Sequence, residues 1–143
     1  MYCTLADLEK RLDRQKLIEI SNDRDNPVLD DQGNPTVNEA NVNMAIEEAG
    51  AEMDTYLGRR YPVPLSPVPD VVVKLAVDIA IYNLFSRGWM QQEDQTIYTR
   101  YRGAIKLLEK MASGKVQLPG REQGIVVRAP AKVFGDDFRK AYD

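Results

Sequence analysis

Apolar positions recur along this chain at helical spacing, three or four residues apart, in several separate stretches, with no sustained alternation of the kind a half-buried strand shows. The first stretch opens on a capping box: the Thr4 hydroxyl stands three residues before Asp7, an acid in place of the usual glutamate, and Leu5, Leu8 and Leu12 follow. A short second helix, RQKLIEIS, is predicted after a break near Asp13, with Leu17, Ile18 and Ile20 at the edge of a bundle. From Asn38 a longer helix is predicted, because Val42, Ile46, Ala49, Met53 and Tyr56 fall on one stripe while Glu47, Glu48, Glu52 and Asp54 fall largely off it. Gly58 is placed to help the chain leave that helix.

The next segment, residues 67–87, is apolar on nearly every side, as in a helix surrounded by others. It is too long for one buried strand, and Lys74 and Asp78 stand four apart as a helical pair. Gly88 is the expected stop. A further helix, about residues 93–113, carries Ile97, Tyr101, Ala104 or Ile105, Leu108 and Met111 on one face, with Gly114 in the position that favours a left-handed C-terminal cap. The predicted class is all-α: a small bundle of four to five helices around a central apolar helix, with an extended C-terminal arm. The expected division is a helical domain over residues 1–118 that includes a polar loop at 22–38, followed by the arm at 119–143.

Two connections stand out. The loop, NDRDNPVLDDQGNPTVN, is dense in residues that favour turns through side-chain bonds to the backbone or through special φ values. The second, YLGRRYPVPLSPVP at 56–69, holds four of the eight prolines within eight residues. Proline lacks a backbone donor and holds φ near −65°, so this link must end one helix and stay stiff. The expectation is an extended run over residues 61–66, then Ser66 as N-cap and Pro67 at the first helical position.

Charge adds an asymmetry that the net value of −3 conceals. Residues 19–54 hold ten acids and one base, whereas residues 59–118 hold nine bases and five acids. The first segment reads either as a solvated acidic loop or as an acidic face that meets a basic face on the next copy, which would favour head-to-tail association.

The chemical inventory is thin. The chain has no histidine and a single cysteine, Cys3, so the usual general base, the commonest metal ligand and any internal disulfide are missing. A calcium-loop reading of residues around Gly33 fails, because Val28 would be the first ligand. The acid pairs Glu47–Glu48, Glu93–Asp94 and Asp136–Asp137 are adjacent, so on a helix they diverge by about 100°. No glycine-rich phosphate loop is present. No catalytic, cofactor or metal site is expected, nor a membrane span, nor a signal peptide, which predicts a soluble chain made in a cytoplasm. Arg59, Arg60, Arg87, Arg100, Arg102, Lys106 and Lys110 supply cations for a basic surface, but a pI near 5.1 without a recognisable motif argues against sequence-specific nucleic-acid binding. Arg and Tyr are also the residues that anchor protein interfaces, which nominates Tyr56, Arg59, Arg60, Tyr61, Arg100 and Arg102. In the arm, Ile125, Val126 and Val127 form a β-prone run, and Phe134, Phe138 and Tyr142 recur every four residues. This segment reads either as a disordered tail or as an arm that orders against a neighbour, for which Ile125, Val127, Phe134, Phe138 and Tyr142 are the candidate contacts.

The segments MYCTLADLEKRL, EEAGAEMDTYLGRRYPVPLSPVPDVVVKLAVDIAIYNLF and RYRGAIKLLEKMASGKVQL resemble the Mu-type bacteriophage family of small head–tail junction proteins. The resemblance spans about residues 1–120, and its most specific part is the helix–YLxxRYPxPL–proline–apolar-helix block. The loop at 22–38 is longer than the compact family pattern. The resemblance implies a mostly helical connector that forms a ring, twelvefold by analogy, below the portal. It implies contact with portal protein and tail-side or neck proteins, only incidental contact with passing DNA, and a place in the virion at the head–tail junction. The isolated chain can be monomeric before assembly. A nucleic-acid-binding or regulatory small helical protein is the alternative.

Overall fold

The computed structural model describes residues 1–87 and 94–120. Within them lie five helices: α1 Leu5–Glu9, α2 Arg14–Ser21, α3 Glu39–Leu57, α4 Asp70–Phe85 and α5 Gln95–Ala112. There is no sheet among these residues, and the fold is the expected all-α bundle.

Local sequence explains the helix starts. Thr4 and Asp7 form the capping box of α1, and Asp13, Asn38 and Asp94 each accept a backbone N–H in the first turn of α2, α3 and α5. At the far end of α5, Ser113 is the C-cap and Gly114 takes φ +84°, a left-handed value that suits glycine. Gly58, by contrast, ends α3 at an ordinary right-handed φ of −65°.

Helices α3, α4 and α5 form the body, running up, down and up, and α1 and α2 cover one side. Helix α4 is the centre: Val72, Leu75, Ala76, Val77, Ile79, Ala80, Ile81 and Leu84 are all buried. Around it pack Val42, Ile46, Ala49 and Met53 of α3, Ile97, Ala104, Leu108 and Met111 of α5, and Leu8, Leu17 and Ile20. Ala104, rather than Ile105, takes the fully buried place on α5.

The buried face of α4 also carries a charge. Asp78 is 2% exposed at its side chain and accepts two hydrogen bonds from Arg11, Nε to Oδ1 at 3.1 Å and one terminal nitrogen to Oδ2 at 3.3 Å. The helical partner Lys74 is present as expected, at 3.4 Å, but is more than half exposed. Arg11 lies 67 residues away in sequence and pins the α1–α2 corner to the central helix.

The start of α4 differs from the expectation. Pro69 is the N-cap and the helix begins at Asp70, one turn later than a Ser66 cap would place it. A helix with Pro67 in its first position would need Val68 in the α region, and Val68 directly precedes Pro69, whose ring disfavours that conformation. Nor is the segment 61–66 simply extended: the Val63–Pro64 and Ser66–Pro67 peptide bonds are cis, and the chain bends at both.

Candidate interaction surfaces

The proline link is held by two tyrosine hydroxyls. Tyr2 is buried; its hydroxyl accepts the N–H of Leu65 at 2.9 Å and donates to the Asp54 carboxylate on α3. Tyr61 is also buried, and its hydroxyl accepts the N–H of Leu118 at 3.1 Å. Each buried phenol satisfies a backbone donor outside the helices, Leu65 within the proline link and Leu118 after α5. The link is thereby fixed to the N-terminus at one point and to the segment after α5 at another.

This placement separates the four interface candidates at the junction. Tyr61 is enclosed, and Tyr56 is half-buried against the core. Arg60 is folded inward, so that a Cβ on Gly114 would lie 2.9 Å from its Cζ, and its Nε is buried without a hydrogen bond. Arg59 is exposed and lies over the Tyr56 ring at 5.9 Å. Of the four, Arg59 and the rim of Tyr56 are open to a partner; Arg60 and Tyr61 set the junction's shape.

Helix α5 presents a second surface. Tyr98, Arg102, Lys106 and Lys110 stand four residues apart, so they form one stripe along its outer face, about 18 Å long at 1.5 Å per residue. All four are exposed. Arg102 donates to the Tyr98 hydroxyl at 2.9 Å and lies over that ring at 5.8 Å. Among the described residues none of these three cations is paired with an acid. Arg100 is exposed too, on the flank of α5 rather than on the stripe. Beside the stripe's C-terminal half is an open cleft of about 370 Å³ lined by Lys106, Glu109, Lys110, Ser113 and Lys115. Inward of Tyr98, Tyr101 stacks on Tyr82 with centroids 3.9 Å apart and donates to Glu52 at 3.2 Å. Burial and the Glu52 carboxylate push the Tyr101 phenol up to about 12.

The third surface was not apparent in the sequence beyond its turn-forming composition. Residues 28–36 fold back on themselves as a small hairpin: Leu29 bridges Pro35, Thr36 N–H donates to Val28 C=O at 2.9 Å, and Asp30 N–H donates to Asn34 C=O at 2.8 Å. The Asp30 carboxylate accepts the N–H groups of Gln32 and Asn34, both at 2.9 Å, and Gly33 takes φ +82° at the tip. At the base, the buried Asn22 side chain donates to Ile18 C=O and Thr36 C=O and accepts from Val28 N–H. Every residue from 28 to 35 is exposed, Val28 and Leu29 at 41% and 54% among them.

Cys3 is buried, and that burial pushes its thiol up to about 12, far from a nucleophilic thiolate at neutral pH. Among the described residues no three His, Cys, Asp or Glu side chains gather as a metal site, and no helix is long and apolar enough to cross a membrane. Ile125, Val127, Phe134, Phe138 and Tyr142 lie outside the described residues, as does the predicted stop at Gly88.

Residues 2–135 match the protein family described as Bacteriophage Mu, Gp36. The chain belongs to that family. Among its relatives is the Mu-like prophage FluMu protein gp36 of Haemophilus influenzae, 32% identical over 115 residues, which cover 75% of this chain and 79% of the relative. Another is Gene product J of Escherichia phage Mu, 27% identical over 136 residues, which cover 95% of this chain and 85% of that one. The family match runs from residue 2 to residue 135, beyond the segments that carry the resemblance in the sequence.

Proposed function

We propose that this Mu-family protein is a structural component of the phage particle: a head–tail connector that assembles as a ring beneath the portal and links the DNA-filled head to the tail. Membership of the bacteriophage Mu Gp36 family carries the reading. The physical features agree with it. Three exposed surfaces, the Arg59 junction, the α5 stripe and the hairpin, stand on a scaffold whose angles are set by tied-down loops, and heterologous contacts that close into a ring need such fixed geometry. Portal protein on one side, tail-side or neck proteins on the other and further copies of this chain around the ring are the partners.

Deleting the gene from an inducible Mu-like prophage and imaging the lysate by electron microscopy tests this. The reading expects heads and tails that stay unjoined. Tailed, infectious particles in normal numbers would overturn it. The row of cations on α5 supports a second reading, a nucleic-acid-binding protein, for which affinity should fall steeply with salt as counterions are released. Filter binding to duplex DNA at two ionic strengths separates the two.

A further inference from the structure

We propose that the hairpin at residues 28–36 is the element that joins copies of this chain: it docks on the α5 stripe of a neighbouring copy. The inference rests on the self-association in the proposed function and assigns the two surfaces that make it.

Three observations lead there. First, the hairpin is ordered without being packed. Its base is fixed by the buried Asn22 side chain, which donates to Thr36 C=O and accepts from Val28 N–H, and its tip by Asp30 and Gly33, yet all residues from 28 to 35 face outward. A segment held this way loses little further conformational entropy when a partner covers it. Second, the hairpin joins exposed apolar side chains, Val28 and Leu29, to an acidic turn, Asp30 and Asp31, which is the make-up of an anchor with a charged rim. Third, the α5 stripe is its complement. It offers an exposed tyrosine, 44% accessible, followed by Arg102, Lys106 and Lys110, none paired with an acid among the described residues.

The sizes also fit. Four residues of a hairpin arm span about 13 Å at 3.3 Å per residue, against about 18 Å for the stripe. The hairpin follows α2 and the stripe belongs to α5, so one copy offers two different surfaces and the contact is head-to-tail. Such a contact propagates around a ring instead of stopping at a dimer. The acidic hairpin also repels the acidic outer face of α3, where Glu47 and Glu48 are exposed, which disfavours the wrong pairing.

The test uses reversed charges in the full chain. Leu29→Lys with Asp31→Lys alters the hairpin without touching Asp30, and Lys106→Glu with Lys110→Glu alters the stripe; all four positions are exposed. In sedimentation velocity at low ionic strength, wild type should associate at high concentration, and each double variant should weaken that by about tenfold or more. An equimolar mixture of the two variants should associate where neither does alone, because each hairpin then meets a stripe of opposite charge. Helical circular dichroism verifies folding. As an independent check, Leu29→Cys on one copy and Lys106→Cys on another should cross-link with a short bismaleimide, the buried Cys3 staying silent. Wild-type association that survives in both variants overturns this assignment and leaves self-association standing. The same holds if the stripe variants lose only duplex-DNA binding, which would give α5 to nucleic acid. A wild type that stays monomeric at every concentration overturns this inference and leaves standing a ring that forms only on the portal.

Discussion

Replacing Arg11 by methionine is a demanding test of how α4 is held at the centre of the bundle. The substitution keeps much of the side chain's length and removes both hydrogen bonds to Asp78, whose carboxylate is 2% exposed. Breaking a buried ion pair by removing one partner costs about 3–5 kcal/mol, because the remaining charge is left desolvated. Two features lower the figure here. Arg11 is itself 30% exposed, so water reaches the site, and Lys74 stays within 3.4 Å of the other carboxylate oxygen. A loss of about 2–3 kcal/mol is therefore expected. At about 3–4 °C per kcal/mol for a chain of this size, the melting temperature should fall by about 6–12 °C. Urea unfolding followed by circular dichroism at 222 nm measures the free energy, and a thermal scan at the same wavelength the melting temperature. The double variant Arg11→Met, Asp78→Leu should recover most of the loss, since an apolar pair of similar volume leaves no buried charge. A single variant within 0.5 kcal/mol of wild type, or a double variant no better than the single, would refute the reasoning.

Other consequences can be checked in the same way. Tyr2→Phe leaves the buried Leu65 N–H without its acceptor and should cost about 1–3 kcal/mol by urea unfolding. Gly114→Ala puts a Cβ against Arg60 at a φ of +84° and should cost about 1–2 kcal/mol, partly restored by Arg60→Ala, which removes the clash but not the backbone strain. Cys3, with its thiol raised to about 12, should resist iodoacetamide at pH 8 in the native protein and react promptly in urea. Tyr101 has a folded pKa of about 12 against 10.0 unfolded. Between those values the unfolded chain ionises while the folded one does not, so stability is intact below pH 10 and declines as pH rises to 12. Tyr101→Phe should flatten that decline.

The helices were legible in the sequence because their signals are local. Thr4 and Asp7, the stripe from Val42 to Tyr56 and Gly114 each act within a turn or two of their own position, and each does in the structure what its spacing implies. The start of α4 was misplaced although the relevant rule is also local: Pro67 suits a first helical position only if Val68 is free to be helical, and Pro69 prevents that. Other features depend on partners far along the chain. Asp78 pairs with Lys74 as its spacing suggests, but its stronger partner Arg11 is 67 residues distant. Tyr61 stands among arginines in an apparent interface motif, and only the fold shows its hydroxyl holding Leu118. The hairpin at 28–36 lay within a stretch rightly read as turn-forming, but its pairing depends on Asn22 reaching both of its arms. The α5 stripe is within reach of the sequence, since Tyr98, Arg102, Lys106 and Lys110 share a four-residue interval from which Arg100 stands apart.

The central claim, that this chain serves as a piece of the particle joining head to tail, is tested most directly by locating it. Purified particles from an induced Mu-like prophage can be labelled with gold-conjugated antibody against this protein and imaged. The account predicts gold at the junction between head and tail, on nearly every joined particle. Particles that are complete yet carry none of this chain would contradict it.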